Sequence, residues 1–227
     1  MTLLELKNVG WVGNVGGVAG ADVAFASLYE AFNPLTTVAK QHFIEWFSGS
    51  VLDSIWNQRN TNGVGTYAMV DAVDEGFSIT TGTSTSNASD IDMNDIRHYS
   101  EDNYVCISIF RRVTTLSIVQ QISVNNGATF NHYVLVQDDT INTFYDLFTK
   151  DGTTPSAQDS DIAIDATFHS HKIELNGTNA RLDIDGVLKV TKTTNLPGAA
   201  LQPAFRVFAR GTGGKEGRFR YIEAYST

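Results

Sequence analysis

Cysteine is almost absent from this sequence, since Cys106 is the only one among 227 residues. A single cysteine excludes an intrachain disulfide framework and a zinc site built from several cysteines. Cys106 lies in an apolar run, which predicts a small buried side chain and not a nucleophile. Basic residues are also scarce: 16 Lys and Arg against 25 Asp and Glu give a formal net charge of -9. This balance argues against a general nucleic-acid-binding protein, which needs clustered cations to neutralise phosphates.

Long apolar runs are missing as well. No segment approaches the length that spans a bilayer, so we expect no membrane partner. A secretory signal is not recognisable, because Glu5 and Lys7 interrupt the segment that would have to form its continuous apolar core. We therefore expect a protein that is made in a cytoplasm and not exported by the usual signal.

Strand patterning is what the sequence does contain, and it is clearest from Phe168 to Pro197. Apolar and polar residues alternate there with the period of two that half-buried strands show. Asn176-Gly177 and Asp185-Gly186 interrupt the alternation, and an Asp-Gly pair favours a type I′ turn. The pattern predicts two successive hairpins that bury Ile173, Leu175, Leu182, Ile184, Val187 and Leu188.

Similar patterning recurs from Gln41 onward, with turn residues between the segments, as in a sandwich or barrel. Thr80 to Asp95 is polar and is predicted to be an exposed loop or an edge element. The predicted strands are 43–47, 65–72, 76–81, 102–113, 115–124, 130–138, 141–149, 160–166, 168–175, 180–185, 187–193, 203–210 and 217–225.

Residues 1–41 differ in texture from the rest, because glycines and valines surround a single tryptophan. Such a segment buries little of its own surface and is predicted to order against a neighbouring surface as an arm. Asp22 to Phe32 has helical spacing and is predicted to be one short helix, which Asn33-Pro34 ends. The glycines do not lie between a strand and a helix, so we predict no dinucleotide cofactor. The predicted anchoring side chains are Trp11, Phe25, Tyr29 and Phe32.

Two stretches resemble concanavalin A-like (laminin-G-like) jelly-roll domains. Phe43 to Gly49, followed by Asp53 and Trp56, is similar to the opening strand of these domains, and the double hairpin at 168–197 is similar to their C-terminal half. The resemblance implies an all-β, antiparallel sandwich over residues 42–227, preceded by the short N-terminal arm with its one helix. It also implies a place among virion and phage structural proteins, in which such domains are common.

Two enzyme families with this fold were compared with the sequence. Some jelly-roll glycoside hydrolases carry an E-x-D-x-x-E strand, and Asp90 to Asp95 has a similar spacing, but with the shorter Asp at both outer positions. The polar neighbours of this stretch also favour a loop, and placement errors of about 1 Å already impair catalysis. Alginate-lyase-like domains carry a Q-I-H triplet, whereas Ser123 follows Gln121-Ile122 here. We therefore predict no enzyme and no catalytic residue.

Metal binding is not predicted either. His169 and His171 share a strand at i and i+2, but no third ligand is evident, so a structural pair is the preferred interpretation. The acidic pairs Asp138-Asp139, Asp159 with Asp161 and Asp183 with Asp185 lack the regular oxygen spacing of an EF-hand calcium loop. Five basic residues near the C-terminus form a stripe that predicts contact with an acidic patch of a neighbouring subunit or with sulfated or uronic glycans. They are Arg206, Arg210, Lys215, Arg218 and Arg220.

The function predicted from these features is a non-enzymatic virion structural protein, such as a capsid decoration or head/tail surface protein. Its arm would anchor it to other virion subunits as a homo-oligomer, and it would reach the virion from the host cytoplasm. The alternative is a carbohydrate-binding module or a host-glycan receptor-binding protein, which uses aromatic and amide side chains in loops. The candidate glycan-binding residues are Trp56, Tyr67, Asn125, Asn126 and Tyr133.

Overall fold

The structure is a computed structural model, and it describes most of the chain beyond residue 41. The described residues are 42–48, 50–70, 76–93, 99–100, 102–115, 118–125 and 130–226. Within these ranges all regular secondary structure is β-strand, and the strands form two antiparallel sheets. No helix in the described ranges is long and apolar enough to cross a membrane. The predicted arm, its helix and the anchoring residues Trp11, Phe25, Tyr29 and Phe32 lie outside the described residues.

The first sheet has eight strands, with the neighbours β13-β12-β11-β6-β15-β4-β3 and with β1 paired to β15. Strand β15 is the longest and pairs with β6, β4 and β1, which makes it the centre of this sheet. The strands are β1 (His42–Trp46), β3 (Thr66–Met69), β4 (Phe77–Thr80), β6 (Tyr104–Arg112), β11 (His169–Leu175), β12 (Ala180–Ile184), β13 (Val187–Lys192) and β15 (Glu216–Ser226).

The second sheet has seven strands in the order β10-β9-β8-β7-β14-β5-β2. Each strand pairs antiparallel with its neighbours. The strands are β2 (Asn57–Thr61), β5 (Ala88–Asp92), β7 (Ile118–Asn125), β8 (His132–Asp139), β9 (Phe144–Asp151), β10 (Ser156–Ala163) and β14 (Gln202–Ala209).

The core lies between the two sheets and contains large aromatic residues under β2 and β14. Phe205 and Phe219 come from opposite sheets, and their ring centroids are 4.4 Å apart. Trp56 and Phe47 pack against Phe205 at centroid distances of 6.0 and 5.7 Å. These residues are at most 5% exposed, and close-packed aromatic groups of this size hold the strands above them in fixed positions.

The double hairpin is confirmed in detail. Strands β11, β12 and β13 pair in succession, and Ile173, Leu175, Leu182 and Ile184 are at most 2% exposed. Asp185 and Gly186 have φ angles of 49° and 77°, and positive φ at both central residues is what a type I′ turn requires. Cys106 is buried as predicted, and burial raises the pKa of its thiol to about 12.

Two details of this hairpin prediction are wrong. Val187 and Leu188 are 53% and 52% exposed instead of buried. The pairing of β12 with β13 shifts register between Leu182 and Asp183, and Val190 is the buried apolar residue of β13 instead. A one-residue shift exchanges the two faces of a strand, which sequence alternation alone does not reveal.

Every predicted strand overlaps an observed one, but the prediction omits β2 and leaves β5 in a loop or edge element. Both strands are short and polar, with the sequences NQRNT and ASDID. Their outward side chains are charged or polar and their inward ones include Ser89, so the usual alternation of apolar and polar residues is weak. These two strands form one edge of the seven-stranded sheet.

Candidate functional site

A row of polar residues crosses the whole outer face of the seven-stranded sheet. Strand pairing places its members directly opposite one another without a register shift between them. Their strand neighbours Ile91, Phe205, Val136 and Leu147 belong to the core, so the row faces away from the core. With strands about 4.8 Å apart, the row is about 29 Å long. From β2 to β10 this cross-strand row consists of Arg59, Asp90, Arg206, Gln121, Gln137, Asp146 and Asp159.

Asp90 and Asp92 lie at one end of the row on neighbouring outward positions of β5. Ile91 between them is fully buried, which fixes the direction of both carboxylates. Arg59 on β2 forms an ion pair with each of them, at 3.4 Å from Nε to Oδ1 of Asp90 and through Nη2 to Asp92. The two carboxylates are 5% and 1% exposed. One guanidinium group therefore holds two nearly buried carboxylates side by side.

The electrostatic balance at Asp90 favours its protonated form relative to an exposed aspartate. Burial raises the pKa of Asp90, and the positive charges of Arg206 and Arg59 lower it by a smaller amount. The net pKa is raised. A carboxyl group with this balance exchanges protons closer to neutral pH than a solvated one does.

A pocket of about 450 Å³ opens beside Asp90 on the outer face. Arg59, Arg206 and Phe130 contribute to its wall. The guanidinium carbon of Arg206 lies 5.5 Å from the centroid of the Phe130 ring, a distance at which a cation and an aromatic ring attract each other. The remaining lining residues are Asn60 and Thr61.

Polar contacts below the pocket fix β2 against β5. The side-chain oxygen of Asn60 accepts hydrogen bonds from Ser89 Oγ at 2.7 Å and from the backbone N–H of Gly65 at 3.0 Å. A Cβ atom on Gly65 would lie 1.9 Å from Ser89 Oγ, so only glycine permits this approach. Tyr67 reaches from the other sheet, and its hydroxyl group donates to the backbone carbonyl of Arg59.

A second pair of carboxyl groups lies at the other end of the row, where Asp146 on β9 faces Asp159 on β10. Burial, together with the hydrogen bond and charge of Asp159, raises the pKa of Asp146 to about 6, although Asn142 donates to the same carboxylate. Four strand spacings of about 4.8 Å separate Asp146 from Asp90, or about 19 Å. Asp90 and Asp146 are therefore too far apart to act on one bond.

The candidate glycan-binding residues are distributed over both sheets. Trp56 lies in the core at 5% exposure, and Tyr67 is the tether described above, with its pKa raised to about 12 chiefly by burial. Asn125 ends β7, whereas Asn126 lies outside the described residues. Tyr133 lies on the outer face two positions before Leu135, half-buried, with Lys150 Nζ 5.8 Å from its ring centroid.

The predicted C-terminal basic stripe is divided between the two sheets. Arg206 lies on β14 in the seven-stranded sheet, whereas Arg218 and Arg220 lie on β15 in the other sheet. Arg210 pairs with the buried carboxylate of Asp139, with 2.8 Å between Nε and Oδ1. Only Arg206 belongs to the row and its pocket.

The two histidines of β11 have different surroundings. Ring nitrogens of His169 lie 2.6 Å from Asp185 and 3.2 Å from Asp165. His171 is fully buried, stacks on Phe110 at 4.2 Å, and has no hydrogen-bond partner on either ring nitrogen. Within the described ranges, no group of three His, Cys, Asp or Glu residues is arranged to hold a metal ion.

The fold of the described domain matches that of several carbohydrate-active enzymes. A β-glucanase from Bacillus licheniformis superposes with a TM-score of 0.62 at 10% identity, covering 85% of this chain and 100% of that one. A β-1,3-1,4-glucanase (lichenase) derived from a mouse hindgut metagenome gives 0.63 at 10% identity, covering 82% and 98%. The Crh5 transglycosylase gives 0.61 at 14% identity, covering 82% and 84%. The chain has a concanavalin A-like jelly-roll fold.

The sequence itself carries no recognisable family relationship. No protein-family model matches it, and a search of curated proteins finds no match. The likeness at 10 to 14% identity therefore establishes the fold and leaves the chemistry to be argued from the residues of this chain.

The prediction of a non-enzymatic virion structural protein is wrong, and so is the prediction that the chain is not an enzyme. The structures it matches are glucanases and a transglycosylase, and nothing among them indicates a virion. The error began at Asp90 to Asp95, which was expected to be an exposed loop or an edge element. Residues 88–92 instead form β5, which places Asp90 and Asp92 on one outward face.

Arg59, Phe130, Asp146 and the pairing of Asp90 with Arg206 were not singled out from the sequence. The available signal was the i, i+2 spacing of Asp90 and Asp92, which places two side chains on one face only if the segment is a strand. The partners of these carboxylates come from β2 and β14, which are distant in sequence. Such partners become evident only from the strand order.

Proposed function

We propose that this protein acts on a polysaccharide that lies along the cross-strand row, and that it cleaves or transfers glycosidic bonds with Asp90 and Asp92. The observation that carries the proposal is that one guanidinium, that of Arg59, contacts both carboxylates at the floor of the outer-face pocket. A row of polar side chains about 29 Å long suits an extended chain rich in hydroxyl groups.

The spacing of Asp90 and Asp92 supports this chemistry. Residues i and i+2 of a strand are about 6.6 Å apart, and glycosidases use carboxyl groups separated by roughly 5 to 9.5 Å. Asp146 and Asp159 share a hydrogen bond, and groups in such contact are only about 2.5 to 3 Å apart, which leaves no room for a sugar between them. The pair on β5 is therefore the better candidate.

The two carboxyl groups differ in a way that suits an acid and a stabilising or nucleophilic carboxylate. The pKa of Asp90 is raised chiefly by burial, which favours a proton on this group and its donation to a leaving oxygen. Asp92 is held against Arg59, which favours its ionised form beside a positively charged transition state. The similarity of the fold to glucanases and a transglycosylase supports the same assignment.

The test is a screen of the purified full chain against soluble polysaccharides, neutral and acidic, with detection of new reducing ends and mass spectrometry of the products. The proposal expects shortened chains, or chains of altered length from transfer, with at least one polymer. Binding to a polymer without any change in chain length across the panel would reject the catalytic proposal and leave only glycan binding.

A further inference from the structure

The pocket beside Asp90 is rich in positive charge although the chain as a whole is acidic. Two of its six lining residues are arginines, Arg59 and Arg206, whereas the formal net charge of the chain is -9. Such a protein repels anionic polymers over most of its surface. A cationic pocket in this context requires a specific reason.

The charges of the two arginines are not equally available. Arg59 is engaged by Asp90 and Asp92 on β5. For Arg206, no hydrogen bond or ion pair is formed with any part of the chain that the structure describes, and its Nε–H is buried without an acceptor. Asp90 lies near enough to feel its charge. Arg206 therefore brings to the pocket a guanidinium group whose donors are unused.

The orientation of this guanidinium group is set before any ligand arrives. Its carbon lies 5.5 Å from the centroid of the Phe130 ring, and arginine side chains commonly rest on aromatic faces. Strand pairing places Arg206 opposite both Asp90 and Gln121 on the floor of the sheet. The planar fork of arginine matches the two oxygens of a carboxylate or a sulfate.

The geometry points to an anion subsite at Arg206 that binds the carboxylate or sulfate group of an acidic polysaccharide. The inference rests on the proposed function and specifies its substrate class, because a neutral glucan has no group that would satisfy the buried Nε–H as a charged acceptor. An unsatisfied buried donor is costly, so occupation by an anion stabilises both the ligand and the pocket. The negative charge would then lie next to Asp90.

Native gel electrophoresis in gels that contain one polymer at a time tests this subsite. The probes are polygalacturonate for carboxylate, κ-carrageenan for sulfate and mixed-linkage β-glucan as the neutral polymer. The variants are Arg206→Gln, Arg206→Lys, which keeps the charge but not the fork, and Arg181→Gln as a control of equal charge change. Arg181 lies on β12 of the other sheet and is 43% exposed.

The expected result is retardation of the wild type by one of the acidic polymers and not by the other polymers to the same degree. Arg206→Gln should weaken that binding roughly ten- to hundred-fold, Arg206→Lys should weaken it less, and Arg181→Gln should match the wild type. The inference is overturned if the wild type binds the neutral glucan as tightly as both acidic polymers, or if no polymer binds. It is also overturned if Arg206→Gln and Arg181→Gln behave alike.

Failure of the subsite and failure of the proposed function give different results. Cleavage of the neutral glucan that is unaffected by Arg206→Gln would reject the anion subsite and support the catalytic proposal. Binding of an acidic polymer that depends on Arg206, without any change in polymer length, would support the subsite and reject catalysis.

Discussion

Arg59 on β2 and Asp92 on β5 form an ion pair whose carboxylate is 1% exposed and whose arginine side chain is 30% exposed. The pair joins the last two strands at one edge of the seven-stranded sheet, and the same guanidinium group also reaches Asp90. Removal of the arginine leaves two buried negative charges side by side. Stability and the candidate site therefore depend on the same contact.

Arg59→Gln should lower the free energy of unfolding by roughly 3 to 5 kcal/mol, because breaking a buried ion pair leaves an uncompensated charge. The measurement is urea unfolding followed by tryptophan fluorescence at neutral pH. Arg181→Gln removes a half-exposed arginine on the other sheet, and exposed pairs contribute at most about 1 kcal/mol. Equal effects of the two substitutions would show that Arg59 is not structurally important.

Arg206→Gln should move the alkaline limb of the pH profile to higher pH. Arg206 lowers the pKa of Asp90, against the larger effect of burial, so its removal raises that pKa further. A general acid works only while protonated, and activity falls as the pH rises through its pKa. The measurement is kcat/KM against pH on whichever polymer is cleaved. A shift to lower pH would contradict the role of Asp90 as the acid.

The candidate site was the least predictable part of the molecule, for a physical reason. The hairpins at 168–197 were foreseeable because burial of one face imposes alternation on the sequence. Strand β5 was not, because a groove lined with Asp90 and Asp92 replaces the expected outward pattern, and the inward Ser89 weakens it further. Segments that depart from the local pattern are where function is to be sought.

Long-range pairing accounts for most of the remainder. Asp90 meets Arg206 only because β5 lies next to β14. The spacing of residues along the chain carries no trace of this neighbourhood. The expected basic stripe from Arg206 to Arg220 failed as a single surface for the same reason, since β14 and β15 belong to different sheets.

His171 should make the protein less stable in acid. Burial lowers the pKa of His171 to about 3, whereas an unfolded histidine titrates near 6.5. A depressed pKa in the folded state means that stability is present above pH 6.5 and is lost as the pH falls toward 3, by about 2 kcal/mol between pH 7 and 5. His171→Phe removes the titrating group but keeps a ring against Phe110.

Neighbouring His169 should act in the opposite direction, which gives the experiment an internal contrast. Burial lowers its pKa, but the hydrogen bonds and charges of Asp185 and Asp165 outweigh this effect and raise it. Its stabilisation is complete below pH 6.5 and is lost as the pH rises through the raised pKa. Thermal melts from pH 4 to 9 should show His171→Phe flattening the acid side and His169→Gln the alkaline side. Exchange of these two effects would contradict the assignment.

Asp159→Asn should stabilise the protein at alkaline pH. The pKa of Asp146 is raised to about 6 by burial and by Asp159, so the stability that its proton provides is present in acid and is lost as the pH rises through about 6. An amide at position 159 can donate to the Asp146 carboxylate, a gain of about 1 to 3 kcal/mol at pH 8. The gain should be small at pH 4. Asp161→Asn, at an exposed position on the same strand, should change little at either pH.

Product release by single variants of the β5 carboxylates tests the central proposal most directly. On a polymer that the wild type shortens, Asp90→Asn and Asp92→Asn should each lower kcat/KM by roughly a hundredfold or more. Asp183→Asn on the opposite sheet, where Asp183 lies 3.8 Å from Lys172, should leave it unchanged. All variants are checked for folding by their thermal melts. Wild-type rates from folded Asp90→Asn and Asp92→Asn proteins would contradict the assignment of catalysis to this pair.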